Sequence, residues 1–360
     1  MELKNILSEA VLSKEDSKRA SRNLGVDINT LRRMGLNEHP YGMSPKALAV
    51  YEERTKEGNL YGDFGGTPLK ETLAKFYGLK TTNFLTGCGS SAMIETCGLA
   101  FLNPGDEVVM CPTFAAFLDM AGIRMAKSVV VPLKEDKGYD LDGILKAITD
   151  KTKMIVICNP NNPTGQYLGE DALREFVKKV PDNIVIIFDE AYLEFATASD
   201  CKSMLPLIKE GCDKPIVVLK TFSKYYGMAG VRIGYVVADE SIIAAMSKCP
   251  GSSVNRAGMY AAIEAIGDQE YYQEAKKKVV EGVNYLETEL AALGCEVYHT
   301  QTNFIMFEPH RDYMAVRQEM INHGILINCP MLCRVSVGTM EDNKAFIEAM
   351  KDILATLEEK

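Results

Sequence analysis

Short apolar runs alternate with stretches of helical spacing through the middle of the chain. The runs are rich in β-branched residues and bounded by turn residues, which predicts strands buried on both faces. These predicted strands cover 107–111, 128–131, 154–158, 184–188, 216–219 and 231–237. Between the strands, apolar residues recur at intervals of three and four, as in amphipathic helices. The alternation predicts an α/β fold with a doubly wound, mostly parallel sheet.

The chain of 360 residues is long enough for one large domain and a smaller one. Residues 1–30 are charged, with apolar residues at helical spacing, and predict an N-terminal helical arm. Residues 56–254 contain the alternating pattern and are the predicted large domain. Residues 31–55 and 255–360 are expected to form a small α+β domain that closes over a substrate.

Local signals mark the ends of two helices outside the strand runs. Thr67 and Pro68 predict a helix start, and Gly78 predicts its end. The apolar face of this helix is expected to include Leu69 and Phe76. Thr339 predicts the cap of a final helix.

Composition excludes some classes of protein. Hydrophobic residues make up 47% of the chain and charged residues 25%, as in soluble globular proteins. The net charge of −9 argues against nucleic acid or an anionic membrane as the main partner. The ten cysteines are scattered, and the closest pair, Cys329 and Cys333, lacks the second ligand pair of a zinc site. Without a signal peptide or a membrane-spanning apolar run, we expect a cytoplasmic chain with reduced thiols.

A lysine lies between two predicted strands in the stretch 215–237. Thr221, Ser223 and Lys224 follow the first apolar run, and Arg232 comes shortly after. A lysine at the mouth of a buried strand is costly unless burial lowers the pKa of its amine for Schiff-base chemistry. Hydroxyls and an arginine beside it would suit a phosphate. Together they indicate pyridoxal phosphate, although the lysine alone is more typical of a surface loop.

Other strand ends carry polar residues that suit the same cofactor. Ser90 and Ser91 follow a glycine turn at a helix start, where backbone N–H groups and the helix dipole favour an anion. Asp189 directly follows a strand and could pair with a protonated pyridine nitrogen. Asn162, after another strand, could donate to the phenolic oxygen of the ring. The respective alternatives are a serine cap, a loop salt bridge and ordinary turn chemistry.

Several motifs occur together and in a characteristic order. NPNNPTG, DEAY, TFSK with an arginine eight residues on, and CRVSVGT resemble the fold-type I aminotransferases. LNEHPYG, YGDFGG and SKYYGMAGVRIGY are similar to the histidinol-phosphate aminotransferase branch. The resemblance covers residues 30–350. It implies that a pyridoxal-phosphate enzyme moves an amino group from a donor to a 2-oxo acid acceptor by a ping-pong mechanism.

The resemblance also implies a role for particular residues at the cofactor. Lys224 would bind the cofactor covalently and carry the proton, while Asp189 would pair with the ring nitrogen. Asn162 and Tyr192 would contact the phenolic oxygen, and Phe114 would stack on the ring. The positions that match the phosphate cradle are Ser90, Ser91, Thr221, Ser223 and Arg232.

Substrate and partner contacts are implied in the same way. Arg334 matches the arginine that holds the acidic group of the substrate, and Asn37 and His39 are further expected substrate contacts. Tyr61 matches a tyrosine that reaches the phosphate from the other subunit, which implies a homodimer.

The sequence departs from the family pattern at the substrate end. Asn328 stands where a second arginine is usual, and the phosphate turn before Ala92 lacks its acidic residue. One arginine serves a carboxylate well, whereas a phosphate dianion benefits from more cationic donors. We therefore expect an ordinary α-amino acid to be preferred over histidinol phosphate.

Three alternatives to this expectation stay open at this point. The first is histidinol-phosphate aminotransferase activity proper, and the second is a decarboxylase or lyase on the same scaffold. The third is a regulatory sensor module of a transcription factor. The third needs a DNA-binding domain, for which the arm at 1–30 is short and weakly basic.

Overall fold

The computed structural model describes residues 8–12, 26–250 and 253–359. Of the predicted N-terminal arm, the short helix α1 covers Glu9–Leu12, and most of the other positions lie outside the described residues.

The described residues form a mixed α/β structure. The helices in chain order are α1, α2 (Pro45–Thr55), α3 (Thr67–Tyr77), α4 (Gly89–Phe101), α5 (Ala116–Ile123), α6 (Leu141–Lys146), α7 (Glu170–Lys179), α8 (Leu205–Lys209), α9 (Glu240–Met246), α10 (Arg256–Gly267), α11 (Gln269–Ala292), α12 (Tyr313–Asn322) and α13 (Met340–Thr356). The strands are β1 (Arg32–Arg33), β2 (Phe84–Gly87), β3 (Glu107–Met110), β4 (Lys127–Val130), β5 (Thr152–Cys158), β6 (Val185–Asp189), β7 (Ile216–Thr221), β8 (Gly234–Ala238), β9 (Glu296–Tyr298), β10 (Phe304–Glu308), β11 (Ile325–Leu326) and β12 (Cys333–Ser336).

Within the described residues, the large sheet has seven strands in the order β2-β8-β7-β6-β5-β3-β4. β8 is antiparallel to both of its neighbours, and the other strands share one direction. The register places Cys158 beside Asp189 and Asp189 beside Leu219. The carboxyl ends of β5, β6 and β7 therefore meet at one edge, and the loops that follow carry Asn162 and Lys224 there.

Both faces of this sheet are covered, as the continuous apolar runs predict. Alternate strand residues enter two separate hydrophobic clusters, so that Ile186 and Val218 face one and Ile187 and Val217 face the other. Successive side chains of a strand point to opposite faces, which explains this division. The predicted doubly wound, mostly parallel sheet is confirmed.

A smaller antiparallel sheet in the C-terminal part has the order β12-β10-β9. β1 pairs in parallel with β11, so Arg32 and Arg33 lie beside C-terminal residues. Helix α2 packs against α10. The domain boundaries predicted from sequence, 56–254 against 31–55 with 255–360, stay a prediction.

Several boundaries differ from the prediction in an informative way. The strand predicted at 231–237 is β8, which begins only at Gly234. Val231 and Ile233 are buried, but they line the core from a turn in which Arg232 has a φ of 62°. Phe76, expected on the apolar face of α3, is 46% exposed, whereas Leu69 is buried. Apolar character alone does not separate a buried loop from a strand.

The predicted helix ends are close to the observed ones. α3 begins at Thr67, whose N–H donates to the Asp63 carboxylate at 2.8 Å, and Gly78 ends it with a φ of 64°. Thr339 caps α13 and forms a reciprocal capping box with Asp342. Across the described ranges, no helix combines the length and apolar character needed to cross a membrane.

Candidate active site

A cavity of about 660 Å³ opens where the carboxyl edge of the large sheet meets the C-terminal residues, and it is called the main cavity below. Most of the residues proposed from sequence line it. They are Asn37, Ser90, Ser91, Phe114, Asn162, Asp189, Tyr192, Thr221, Ser223, Lys224, Arg232 and Arg334. Residues more than 290 positions apart are therefore brought to one site.

Lys224 is the buried amine that lines the main cavity. It lies in the loop after β7, and its Nζ donates to the backbone oxygens of Leu36 at 2.9 Å and Asn37 at 3.2 Å. Desolvation lowers the pKa of Lys224 to about 8, and the positive charge of Arg334 acts in the same direction. An amine with this pKa is uncharged, and hence nucleophilic, in a useful fraction of molecules near neutral pH.

Asp189 supplies a buried carboxylate at the end of β6. Only 2% of the residue is exposed, and its Oδ1 accepts a hydrogen bond from the Ala191 N–H at 3.1 Å. Burial raises the pKa of Asp189 to about 6, although the Ala191 hydrogen bond opposes the shift. A buried carboxylate gains most from a cationic partner, and a protonated ring nitrogen is such a partner.

Hydroxyl and backbone groups form an anion cradle at the start of α4. Ser90 and Ser91 lie in the first turn of this helix, after Gly89, whose φ is 81°. A Cβ on Gly89 would lie 2.5 Å from Nη2 of Arg232, so only glycine permits this approach of the arginine. Arg232 Nη1 donates to Ser223 Oγ at 3.3 Å. The helix N-terminus and the guanidinium thus lie close enough together to hold one anion.

A second set of polar groups connects the substrate side with the cofactor side. The Tyr192 hydroxyl accepts hydrogen bonds from Nδ2 of Asn37 at 3.0 Å and from Nδ2 of Asn162 at 3.4 Å. Arg334 Nη1 donates to Asn162 Oδ1, and its Nη2 donates to the Gly35 oxygen at 3.1 Å. The buried Nε of Arg334 has no hydrogen-bond partner among the described residues. This unused donor indicates that an acceptor from a ligand completes the site.

The apolar wall of the main cavity was missed in the sequence. Leu36, Leu118, Val130 and Met331 line the cavity and are between 38% and 46% exposed. They come from four distant segments, and only Leu36, the first residue of LNEHPYG, belongs to a motif. Periodicity does not distinguish a side chain that lines a cavity from one in the core or on the surface, so it gave no signal for this wall.

His39 and Tyr61 lie outside the main cavity. His39 lines a neighbouring cavity of about 400 Å³, and its ring stacks on Phe195 with centroids 6.0 Å apart. Burial lowers the pKa of His39 to about 4. Tyr61 is 86% exposed and pairs with Phe64, which is 73% exposed. The expected substrate contact of His39 and the cross-subunit role of Tyr61 stay predictions.

A buried ionic group behind the cavity also escaped the sequence analysis. Lys220 Nζ lies 3.1 Å from Glu190 Oε2 and 2.8 Å from Glu194 Oε1. Burial opposes the charge of Lys220, but Glu194 and Glu190 outweigh it and raise its pKa well above the ordinary value. The Lys220–Glu190 ion pair joins the residue after Asp189 to the residue before Thr221. A lysine inside the run IVVLKT was the available signal.

The cavity residues fit pyridoxal phosphate in three respects. Lys224 offers an amine with a lowered pKa, Asp189 offers a buried carboxylate in need of a cation, and the start of α4 with Arg232 offers an anion site. An aldehyde, a pyridine nitrogen and a phosphate match these groups one to one.

Comparison with known proteins shows the family. The model of the family "Aminotransferase class I and II" matches residues 31–350. The chain is 34% identical over 345 residues to histidinol-phosphate aminotransferase 2 of Carboxydothermus hydrogenoformans, covering 93% of this chain and 94% of the relative. It is 33% identical over 342 residues to histidinol-phosphate aminotransferase of Moorella thermoacetica, covering 93% and 88%.

Solved structures agree with these matches. Histidinol-phosphate aminotransferase from Sinorhizobium meliloti, in complex with pyridoxal-5'-phosphate, superposes with a TM-score of 0.88 at 26% identity and covers 97% of this chain and 98% of its own. Aspartate aminotransferase from Thermus thermophilus with maleate shares the fold, with a TM-score of 0.82 at 22% identity and coverage of 96% and 99%. This chain therefore belongs to the class I and II aminotransferases, which confirms the resemblance found in its sequence and the expected pyridoxal-phosphate-dependent aminotransferase activity.

Proposed function

We propose that this aminotransferase moves the amino group of an L-α-amino acid with an apolar side chain to a 2-oxo acid. The observation that carries the proposal is the charge of the main cavity. Among the described residues that line it, the permanently or potentially cationic side chains are Lys224, Arg232 and Arg334. Lys224 is the reactive amine and Arg232 lies at the anion cradle, which leaves Arg334 alone to hold the acidic group of the substrate.

The surroundings of Arg334 support a carboxylate in preference to a phosphate. Asn328, on the same side of the cavity, contributes an uncharged side chain, and its Oδ1 already accepts the Cys329 N–H at 3.0 Å. A planar guanidinium holds a planar carboxylate by two parallel hydrogen bonds. A phosphate dianion would be left with one cation and an apolar wall that includes Leu118 and Met331.

Pyridoxal phosphate, when bound, supplies an aldehyde that condenses with amines and a ring that withdraws electrons from the substrate carbon. Lys224 would hold the cofactor and would then, as a freed amine, move a proton between substrate and cofactor. The carbonyl oxygens of Leu36 and Asn37 orient its Nζ. Asp189 would keep the ring nitrogen protonated, and Tyr192 with Asn162 would donate to the phenolic oxygen. Because one cavity serves both half-reactions, donor and acceptor bind in turn.

We also propose a cytoplasmic homodimer. The support comes from the exposed pair Tyr61 and Phe64, because large exposed aromatic side chains that contact each other are typical of an interface. In the dimer, Tyr61 would reach the phosphate site of the partner subunit. Sedimentation of the holoenzyme tests this: a monomer at micromolar concentration would overturn it.

A second candidate substrate is histidinol phosphate, which the names of the relatives from C. hydrogenoformans and M. thermoacetica favour. The two candidates differ in the acidic group that Arg334 would hold. They therefore make opposite predictions in one assay.

The test compares kcat/KM for histidinol phosphate with kcat/KM for apolar and aromatic L-amino acids, each with 2-oxoglutarate as acceptor. A panel of acceptors then follows for the best donor. An advantage of an apolar or aromatic amino acid is expected, and an advantage of histidinol phosphate would overturn the substrate assignment. Detection of the oxo acid and of carbon dioxide separates transamination from decarboxylation.

Borohydride reduction followed by peptide mass analysis should place the pyridoxyl group on Lys224, and a label on another lysine would refute its role.

A further inference from the structure

Two cysteines face each other beside the main cavity, and neither takes part in the chemistry above. Cys329 and Cys333 flank the tip of a hairpin formed by residues 328–334, with their sulfur atoms 3.4 Å apart. Asn328 and Arg334 close the hairpin through two backbone hydrogen bonds, of 3.1 Å and 2.7 Å. In an antiparallel pair the next residues along are a non-hydrogen-bonded pair, whose Cα atoms lie about 4.5 Å apart. This separation lies within the range that a disulfide spans.

The two thiols differ in environment as an attacking and a resolving thiol would. Cys329 is half-buried next to the exposed tip residues Pro330 and Met331, whereas Cys333 is fully buried. Hydrogen bonding with the Cys333 thiol lowers the pKa of Cys329 against the effect of burial, and the positive charge of Arg317 contributes. The same contact, together with burial, raises the pKa of Cys333. Cys329 is thus the more accessible and more acidic thiol.

We propose that Cys329 and Cys333 form an oxidisable dithiol that reacts with low-molecular-weight disulfides and thereby alters substrate binding. The Cys329 thiolate attacks one sulfur of the disulfide, and the other sulfur leaves as a thiolate that takes up a proton. The Cys333 thiolate then attacks Cys329 Sγ and releases the second small thiol. The protein loses two electrons and two protons, and the small disulfide gains them as two thiols.

The hairpin connects this chemistry to the main cavity. Asn328, Pro330, Met331 and Arg334 all line the cavity, and the cysteines lie between them in the chain. Bonding shortens the separation of the two sulfur atoms from 3.4 Å to about 2 Å and fixes both cysteine side chains, one of them directly before Arg334 in the chain. Cys333 and Arg334 are both buried in close packing, so this change in side-chain position is transmitted to the guanidinium.

The chemical test uses the holoenzyme in buffers of defined ratios of oxidised to reduced glutathione. After alkylation with N-ethylmaleimide and digestion with trypsin, the peptide 318–334 contains Cys329 and Cys333 and no other cysteine. We expect this peptide to lose two hydrogens and to escape alkylation at both cysteines in oxidising buffer, with full reversal by dithiothreitol. Persistent alkylation of both thiols, or a stable glutathione adduct without the internal bond, would overturn the proposal.

Two variants identify the order of attack. Cys333→Ser should trap glutathione on Cys329, because the resolving thiol is missing. In Cys329→Ser, glutathione should leave Cys333 unmodified. Because Cys329 is only half-buried, this variant gives an independent test if Cys333→Ser does not fold. Glutathione bound to Cys333 in the Cys329→Ser variant would refute the assignment of the attacking thiol.

The functional test rests on the proposed function. Oxidation should raise KM for the amino acid by at least about fivefold, a typical lower bound for coupling between two sites. The Cys329→Ser variant should show no such change under the same oxidant. An unchanged KM with a fully oxidised peptide would refute the coupling. If the reduced enzyme also lacks aminotransferase activity, the proposed function is refuted. The peptide masses would still decide whether the dithiol forms a disulfide.

Discussion

Replacing Arg334 by methionine tests the central contact of the proposed substrate site. Methionine is unbranched and roughly fills the volume of the side chain, but it offers no donor or charge. In the native site, Arg334 is 6% exposed and donates to Asn162 and Gly35, while its Nε has no partner among the described residues. The unused donors are sufficient to hold a carboxylate by two hydrogen bonds.

The size of the effect follows from these two bonds. Each charge-assisted hydrogen bond contributes roughly 1.5–3 kcal/mol, so losing both costs roughly 3–6 kcal/mol. Since about 1.4 kcal/mol is a factor of ten, kcat/KM for the amino acid should fall by roughly 10²–10⁴. The carboxylate is held equally before and during proton transfer, so the loss should appear mainly in KM. Arg334→Lys keeps the charge but cannot form the two parallel hydrogen bonds, so its kcat/KM should lie between those of wild type and Arg334→Met.

The assay measures kcat and KM for the best amino acid and for its analogue amine without the carboxylate. For the amine, wild type and Arg334→Met should differ by less than about threefold, because the lost contact is absent from both complexes. A circular dichroism spectrum and a thermal melt check that the variant is folded. An equal loss for amine and amino acid, or an unchanged kcat/KM for the amino acid, would refute the assigned role.

Three other perturbations test different parts of the site. Asp189→Ala should leave the melting temperature nearly unchanged but lower single-turnover proton abstraction by orders of magnitude, and near-native turnover would remove Asp189 from the mechanism. Asn328→Arg should shift kcat/KM toward amino phosphates, each new charge-assisted contact adding about 1.5–3 kcal/mol; an unchanged preference between histidinol phosphate and amino acids would contradict this. Lys220→Met should lower the free energy of unfolding by about 3–5 kcal/mol in urea titrations, because Glu190 is left buried without its cation. Adding Glu190→Gln should restore part of that loss, and a loss below about 1 kcal/mol in the single variant would contradict the role of the pair.

The lowered pKa of Lys224 predicts a measurable pH dependence for the reactivity of its amine. The uncharged amine is the nucleophile, so labelling of Lys224 in the cofactor-free protein should rise with pH through about 8. A short lysine-containing model peptide in the same tube, whose amine has an ordinary pKa of about 10.4, should need a pH near that value. Competitive labelling followed by peptide mass analysis measures both in one sample, and parallel profiles would contradict the shift.

Much of the cofactor side could be predicted because it depends on local sequence. Each apolar run specifies its own strand, and parallel neighbours align their carboxyl ends at one edge of the sheet. Asn162, Asp189 and Lys224 each follow such a run, so their meeting in one cavity follows from the pattern alone. The glycine turn before Ser90 and Ser91 similarly marked a helix start suited to an anion.

Other features of the fold and of the cavity depended on contacts between distant segments. β8 reverses direction in the sheet, and the apolar Val231 and Ile233 lie in a turn, which no pattern of hydrophobicity distinguishes from a strand. Leu118 and Met331 form the cavity wall from residues that look like ordinary surface positions.

The ion pair and the thiol pair also could not be predicted from local sequence. The pairing of Lys220 with Glu190 needs two strands in register, and the contact of Cys329 with Cys333 needs the hairpin closed by Asn328 and Arg334. Backbone conformation and burial periodicity are encoded within a few neighbouring residues, so they can be inferred from the chain. Which side chains share a cavity is settled by the free energy of packing whole elements against each other, and only the folded molecule contains that information.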